Sequence, residues 1–199
     1  MWCEEHCLDL NVKKTKEMVI DLKRSTSDVE ECMIKGEEVE RVEVYKYLGT
    51  MIDNNLTFKA NSDAIFKKCK QRMHVLYTLR AFNVNKVIME RCYQSFIQSV
   101  LTFSMVCWFG SLNEMEKKRL NGIVKRCGKI VGAGQQTLEE LFSNRATKRA
   151  VGIQNDPTHI LAPFFELLPS GRRLRHFKCR TKRFSNTFIP QAIILLNDK

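Results

Sequence analysis

The sequence of 199 residues lacks most of the short motifs that carry catalysis. It holds only four histidines, and it has no His-x-Glu motif, no Cys-x-x-Cys pair, no adjacent pair of aspartates and no glycine-rich phosphate loop. These absences leave no signature for a zinc hydrolase, for a nucleophile beside its base, or for a P-loop nucleotide site. The sequence alone therefore predicts binding rather than catalysis, with no catalytic residue to name.

The eight cysteines are scattered, and no secretory signal precedes them. This usage is typical of reduced thiols, so we expect an intracellular protein, cytoplasmic or nuclear and not secreted. Cys3, His6 and Cys7 lie on one face of a predicted helix and could offer three zinc ligands, but a fourth ligand is missing nearby. We therefore predict no metal site.

Charged residues are absent from residues 92–113, a stretch long enough to cross a bilayer. Serine, threonine and glutamine interrupt it, however, and charged residues crowd both of its ends. A buried helix inside a bundle explains the same pattern. We expect no membrane partner and no small-molecule substrate.

Charge is distributed unevenly along the chain. Lysine and arginine number 33 against 22 aspartates and glutamates, a net charge of +11. Residues 1–62 hold 9 basic and 13 acidic side chains, a net −4, whereas residues 63–199 hold 24 and 9, a net +15. A basic surface of this size favours polyanions such as DNA, RNA or an anionic membrane.

The amino-terminal part is predicted to contain the end of a helix, a basic turn and a strand. Residues 2–10 have the pattern of the last turns of an amphipathic helix, and residues 17–22 are predicted to form a strand. A loop is expected at residues 23–30. The basic turn between helix and strand holds Lys13, Lys14, Thr15 and Lys16.

A predicted hairpin and a further strand complete the β part. The hairpin has Lys35-Gly36 at its tip. Apolar side chains alternate along residues 44–52, which predicts one short strand there. Gly49 removes a side chain where another backbone could approach. The run Tyr45-Lys46-Tyr47-Leu48-Gly49 would suit contact with a sugar-phosphate chain, and an ordinary strand in a sheet is the alternative.

Three helices are predicted at about residues 60–77, 86–108 and 113–131, with Gly132 ending the third. Their expected buried faces are Ile65, Cys69, Met73, Leu76 and Tyr77 in the first; Ile88, Cys92, Phe96, Val100, Phe103 and Cys107 in the second; and Leu120, Ile123, Val124, Cys127 and Ile130 in the third. Further helices are expected at about 137–150, 157–168 and 186–196.

The predicted fold class is therefore α+β and mostly α, with a small antiparallel β hairpin or sheet edge followed by a basic helical bundle. We expect three parts: residues 1–57, residues 58–134 and residues 135–199.

The tail carries seven basic residues between Arg172 and Arg183, interleaved with Leu174, Phe177 and Phe184. Regular apolar residues predict an ordered basic strand or loop that contacts phosphate. The alternative is that these apolar residues pack beneath a solvated basic face. The phosphate-contact candidates, from the third helix and the tail, are Lys117, Lys118, Arg119, Lys125, Arg126, Arg172, Arg173, Arg175, Lys178, Arg180, Lys182 and Arg183.

Several spaced motifs together resemble a known family. Trp2, the run from Leu10-Asn11-Val12 to Met18, and Tyr45-Lys46-Tyr47-Leu48-Gly49 are similar to the last two palm motifs of vertebrate non-LTR (LINE-type) retrotransposon reverse transcriptases. Downstream segments resemble the thumb and carboxy-terminal region of that family: Leu79-Arg80-Ala81-Phe82-Asn83-Val84, Ser99-Val100-Leu101-Thr102-Phe103, Cys107-Trp108-Phe109-Gly110, Arg119-Leu120-Asn121 and Leu168-Pro169-Ser170-Gly171-Arg172-Arg173.

The resemblance implies roles for some of these residues. Lys14, Thr15 and Lys16 fall on the palm turn, where a lysine would help to protonate the pyrophosphate leaving group. Tyr47, Leu48 and Gly49 fall on the primer grip, a hairpin that holds the 3′ end of the primer. Residues 1–57 would be a palm remnant, residues 58–134 a thumb-like three-helix bundle, and residues 135–199 the carboxy-terminal helices and basic tail.

The resemblance also predicts what the chain does not do. The family holds two magnesium ions on aspartates of earlier palm motifs, one of them in an Asp-Asp loop. No Asp-Asp pair occurs in these 199 residues. The resemblance therefore implies the carboxy-terminal part of a longer polymerase, which we expect to bind RNA or an RNA–DNA duplex through its basic thumb without catalysing polymerisation. We expect no cofactor.

Two alternatives stay open. One is a non-enzymatic basic interaction module that meets an acidic protein or a membrane surface. The other is an AlkB-type tRNA-modifying dioxygenase/methyltransferase, because the helix that begins at Glu114 is similar to the lysine-rich helix at the start of that enzyme. That likeness covers one helix, and the sequence has neither the iron-binding His-x-Asp motif nor an S-adenosylmethionine loop.

Overall fold

The structure is a computed structural model that describes residues 5–8, 10–22 and 29–198. The chain divides into two compact units, Met1–Asn61 and Ser62–Lys199. The strands lie in the first unit, and helices dominate the second. This arrangement confirms the α+β class and its mostly helical character. The β part consists of two small antiparallel hairpins, where one hairpin and a further strand were predicted. Trp2 and Cys3, used above in the resemblance and in the zinc hypothesis, lie outside the described residues, as does most of the predicted loop.

The first hairpin is formed where the sequence predicts it. β1 (Met33–Ile34) pairs with β2 (Glu37–Glu38), and the turn residues Lys35 and Gly36 both have positive φ, at 53° and 80°. Two such residues make the turn whose twist matches that of the flanking strands.

The predicted single strand over residues 44–52 is wrong, because this segment is a second hairpin. β3 (Val44–Tyr47) pairs with β4 (Thr50–Asp53). Leu48 and Gly49 form the turn, with φ of 45° and 89°. Leucine rarely adopts a left-handed backbone, so Leu-Gly is not a sequence signal for this turn in the way that Asn-Gly is. Gly49 therefore serves the turn itself.

The predicted strand at residues 17–22 is also wrong. Glu17 forms an isolated parallel bridge with Arg41, in which Val42 donates its backbone N–H to the Glu17 carbonyl at 2.8 Å. In the described part of the chain, residues 18–22 have no strand partner. Alternating apolar residues become a strand only when a neighbouring strand accepts them.

In the described residues, the second unit holds eight α-helices, several of them short. The longer ones are α1 (Lys59–Ala81), which begins in the first unit, α2 (Lys86–Tyr93), α5 (Glu114–Val131), α6 (Leu138–Gln154) and α8 (Phe188–Asn197). The short ones are α3 (Ser99–Leu101), α4 (Met105–Trp108) and α7 (Lys182–Ser185). Both α5 and α6 begin with a capping box, at Asn113 and Thr137, which satisfies the first free backbone N–H groups.

The core of this unit lies between α2, α5, α6 and α8. α2 packs on α5, α5 on α6, and α6 on α8. α1 is tied to the same core by Arg80, whose guanidinium donates to the Lys129 carbonyl at 2.7 Å at the end of α5. The predicted buried residues of α5 are all buried, and so are those of α1 except Tyr77, which is 49% exposed.

The predicted helix over residues 86–108 is interrupted, and its predicted buried face is the wrong one. A π turn over Gln94–Gln98 joins α2 to α3, and the chain breaks between α3 and α4, where Ser104 has φ 48°. The buried apolar residues are Met89, Tyr93, Ile97, Leu101, Met105 and Trp108. Ile88, Phe96, Phe103 and Cys107 of the predicted face are exposed, and Cys92 and Val100 are half-buried. Both sets repeat mostly at four residues, and the wider π turn keeps residues with that spacing on one side of the helix.

The carboxy-terminal region departs from prediction most clearly at residues 157–168. The helix expected at residues 157–168 is absent: only a 3₁₀ turn, Ala162–Phe164, forms there. Pro163 in the middle of this stretch removes a backbone donor and its ring clashes with the preceding turn, which disfavours a continuous helix. α6 runs four residues beyond its predicted end at 150, α8 lies where the closing helix was predicted, and α7 was not predicted.

A glycine before α5 allows two backbone segments to touch. A Cβ atom on Gly110 would lie 2.0 Å from the Asn186 carbonyl oxygen, whereas one on Gly122 of α5 would meet nothing within 4 Å. We expect Gly110→Ala to lower the free energy of unfolding by about 1–3 kcal/mol, because the Asn186 backbone has to move. Gly122→Ala is the matched control and should raise it by about 1 kcal/mol. Urea unfolding followed by circular dichroism measures both, and equal effects of the two substitutions would contradict the close approach.

Candidate nucleic-acid interface

The β3–β4 hairpin presents its tip to solvent while its base is fixed. Tyr45, Tyr47 and Leu48 are exposed, Leu48 at 77%. At the base, the buried Asp53 carboxylate accepts hydrogen bonds from the backbone N–H groups of Thr57 at 2.9 Å and Phe58 at 2.6 Å. Fixed ends and an exposed aromatic tip would let this hairpin contact a ligand without reorganising. Lys46 and Gly49 are exposed in the same segment.

The predicted basic turn forms a 3₁₀ turn at Val12–Lys14. The Asn11 side chain caps it by accepting from the Lys14 backbone N–H at 3.2 Å, and the Thr15 hydroxyl donates to the Asn11 carbonyl at 2.9 Å. Lys13 and Lys14 are exposed, and no carboxylate of the described residues pairs with them. Lys16 forms an ion pair with Glu40 instead. The turn thus offers two lysines to solvent.

Two of the five basic candidates on α5 have partners within the chain. The Lys117 ammonium lies 3.1 Å from the Glu114 carboxylate and 5.6 Å from the centre of the Phe109 ring. The Arg119 guanidinium pairs with Asp63 and stacks 4.4 Å from the centre of the Phe66 ring. These contacts order the two side chains and already use part of their hydrogen-bonding capacity.

The other basic residues of α5 are exposed. Lys118, Lys125 and Lys129 are spaced by seven and four residues, so they lie along one face of the helix, and Arg126 stands beside them. No carboxylate of the described ranges pairs with any of the four. We call Lys118, Lys125 and Lys129 the lysine stripe.

Residues 166–175, which we call the arginine hairpin, turn back on themselves. Leu167 and Leu174 form an antiparallel bridge, and Arg175 donates its backbone N–H to the Glu166 carbonyl at 2.8 Å. Gly171, with φ 68°, occupies the turn. Arg172 and Arg173 are exposed at the tip, and Arg175 lies 3.9 Å from the Glu166 carboxylate.

Leu174 anchors the arginine hairpin in the core. Its side chain is 3% exposed and packs in a cluster with residues of α6 and α8, including Ile153 and Ile193. The Asn197 side chain holds the Leu174 backbone from both sides: it accepts from the N–H at 2.8 Å and donates to the carbonyl at 3.1 Å. The segment is therefore an ordered part of the second unit although it lacks regular strands.

The basic residues after the arginine hairpin alternate along the sequence with aromatic residues whose rings lie close together. The Phe177 ring centre lies 6.0 Å from that of Phe164 and 6.3 Å from that of Phe184. The basic side chains between Phe177 and Phe184 in the sequence are all exposed: Lys178, Arg180, Lys182 and Arg183. Cations interleaved with rings suit contact with a phosphate chain and its bases.

Three basic residues that are not among the predicted phosphate-contact candidates lie together on α6. Arg145, Lys148 and Arg149 line one groove in the second unit. Their spacing of three and four residues places them on one helical face, and that spacing is the sequence signal that could have identified them.

The buried thiols have little nucleophilic character. Burial raises the pKa of Cys69 to about 12, with a smaller contribution from neighbouring Cys127, and burial raises the pKa of Cys127 to about 11. Both therefore stay protonated near pH 7. Within the described residues, no group of three or more His, Cys, Asp and Glu side chains is placed to hold a metal ion. No helix of the described ranges is both long and apolar enough to span a bilayer.

Comparison with known proteins gives no relative. No protein family model matches this chain, and no curated protein and no solved structure matches it.

The anchoring of the arginine hairpin can be tested by removing its side-chain bonds. We expect Asn197→Ala to speed amide hydrogen exchange at Leu174 by about tenfold or more, because two hydrogen bonds of about 1 kcal/mol each are lost. Asn144 is an exposed residue of α6 whose side chain has no hydrogen bond to the described residues, so Asn144→Ala is the control and should leave this exchange rate unchanged. An unchanged rate in Asn197→Ala would show that Asn197 does not hold the hairpin.

Proposed function

We propose that this chain binds RNA or an RNA–DNA duplex through the basic surface of its second unit and does not itself catalyse polymerisation. The observation that carries the proposal is the arginine hairpin, whose exposed Arg172 and Arg173 stand on a turn that Leu174 fixes to the core. Arginines on an ordered turn lose less conformational entropy on binding phosphate than arginines on a disordered tail.

The lysine stripe supports the same proposal. A duplex presents phosphates in regular rows, and a helix with cations along one face can follow such a row without reading bases. Lys118, Lys125 and Lys129 have no ion-pair partner among the described residues, so phosphate would not have to displace a carboxylate. The excess of 24 basic over 9 acidic residues in positions 63–199 adds a long-range attraction.

The finer proposal is a reverse-transcriptase-like arrangement. The chain resembles non-LTR retrotransposon reverse transcriptases, so residues 1–57 would be a palm remnant, residues 58–134 a thumb and residues 135–199 a carboxy-terminal region. In its support, the segment that resembles the primer grip is a hairpin with exposed Tyr45, Tyr47 and Leu48 near its turn. Because no Asp-Asp pair occurs in the sequence, the proposal assigns nucleic-acid binding and no magnesium-dependent step.

A second candidate function is a basic module that binds an acidic protein. It is favoured by exposed apolar side chains on and beside α2, among them Val87, Ile88, Phe96 and Phe103. Apolar side chains with a nearby basic surface fit a protein partner better than a phosphate chain. Binding to an acidic polypeptide such as polyglutamate, with none to the duplex, would favour this candidate.

Fluorescence anisotropy with a labelled RNA–DNA duplex tests the first proposal. We expect Arg172→Gln/Arg173→Gln to weaken binding about tenfold, uniformly across duplex sequences, because phosphate contacts carry no base information. The slope of log affinity against log salt should also fall by about one for each arginine that contacts phosphate.

The matched control removes two exposed lysines of α1 that lie outside the candidate set. Lys67→Gln/Lys68→Gln lowers the net charge by the same amount, so a purely long-range attraction would make both variants equally weak. Equal affinities and equal salt slopes in the two variants would contradict a contact by the arginine hairpin.

A further inference from the structure

The groove beside α6 has two chemically different walls. It has a volume of about 400 Å³ and lies entirely within the second unit. One wall comes from the break between α3 and α4, at Thr102 and Ser104. The other wall is one face of α6, formed by Arg145, Lys148, Arg149 and Gly152.

Three cations of the α6 wall share this groove, and no carboxylate neutralises them. No Asp or Glu lines the groove, and none in the described part of the chain forms an ion pair with Arg145, Lys148 or Arg149. Their contacts within the protein are long ones: Arg145 donates to the Thr102 carbonyl at 3.5 Å, and Arg149 lies 3.5 Å from Nε2 of His159. Most of their N–H donors therefore remain available to a ligand.

Gly152 keeps the α6 wall open. It follows Arg149 by three residues and Arg145 by seven, so it lies on the same helical face. A Cβ atom there would meet nothing within 4 Å, which shows that the space beside it is empty. Any larger side chain at this position would extend into the groove.

The opposite wall is held in an unusual backbone conformation. Ser104 has φ 48°, which costs energy for a residue other than glycine, and its hydroxyl has no hydrogen-bond partner among the described residues. The indole N–H of buried Trp108 donates to the Phe103 carbonyl at 2.8 Å and fixes this break. The strain thus lies at the wall that faces the three cations.

We propose that this groove binds a phosphate or diphosphate group, held by Arg145, Lys148 and Arg149. Two guanidinium groups can each offer paired N–H donors to phosphate oxygens, and the lysine adds a third positive charge. The volume of the groove falls within the range of small-molecule sites. The phosphate can belong to a free phosphate ester or to the backbone of a nucleic acid, and the groove itself does not depend on the duplex-binding function proposed above.

Isothermal titration of the full chain with inorganic pyrophosphate tests the groove directly. We expect the wild-type protein to bind pyrophosphate with a dissociation constant of about 1 mM or tighter. Arg145→Gln/Lys148→Gln/Arg149→Gln should weaken that binding about tenfold or more, since charge-assisted hydrogen bonds are lost. Lys67→Gln/Lys68→Gln/Arg91→Gln, which removes three exposed cations elsewhere in the unit, should change it less than about threefold.

A second variant tests the space of the groove independently of its charge. Gly152→Leu keeps all three cations and replaces a helical glycine with a better helix former, and we expect it to weaken pyrophosphate binding about tenfold because leucine fills the groove. Circular dichroism checks that each variant remains folded. The proposal is overturned if the wild-type protein binds no pyrophosphate at about 10 mM, if the groove and control variants bind equally, or if Gly152→Leu binds as the wild type does.

Competition identifies the source of the phosphate. If pyrophosphate displaces the labelled RNA–DNA duplex and the groove variant weakens duplex binding, the groove holds a backbone phosphate of nucleic acid. If pyrophosphate binds without affecting the duplex, or if the duplex does not bind at all, the groove holds a free phosphate ester. Either result supports the groove, and a chain that binds pyrophosphate but no duplex would contradict only the duplex-binding function.

Discussion

The insertion of Leu174 into the core between α6 and α8 is the contact on which the basic carboxy-terminal surface depends. Residues 166–175 have one strand-like bridge and no helix, so little local structure holds them. Leu174 supplies burial, and Asn197 supplies hydrogen bonds to both sides of the same residue. Because these contacts lie next to Arg172 and Arg173 in the sequence, the apolar core holds the backbone that carries the two exposed arginines.

The chain uses its basic residues in two distinct ways. Lys117 and Arg119 pack over the Phe109 and Phe66 rings and pair with carboxylates, so they stabilise the fold. The lysine stripe, the arginine hairpin and the α6 groove carry cations without such strong partners in the described residues. An unneutralised cluster raises the electrostatic energy of the folded protein, and a bound polyanion would lower it. These surfaces are therefore better suited to binding than to stability.

Much of the helical part could be predicted from the sequence, because the buried faces of α1 and α5 repeat near 3.6 residues and glycine or asparagine marks their ends. The segment from α2 to α4 could not, since two apolar rows run along it and only the π turn and the break at Ser104 select the buried one. The β3–β4 turn could not be predicted because Leu48 adopts a left-handed backbone conformation that usually needs asparagine or glycine. The basic residues of the tail were evident from composition. That the segment has a fixed conformation was not, because it depends on a hydrogen bond from Leu174 to Asn197, which lies 23 residues further along the chain.

The salt dependence of duplex affinity tests the central claim most directly. If the second unit binds phosphates through the arginine hairpin and the lysine stripe, log affinity for an RNA–DNA duplex should fall linearly with log salt concentration, with a slope that corresponds to about three to five phosphate contacts. The slope should be the same for duplexes of different sequence, because phosphates carry no sequence information. An affinity that does not change with salt, or no measurable binding at low salt, would contradict the account.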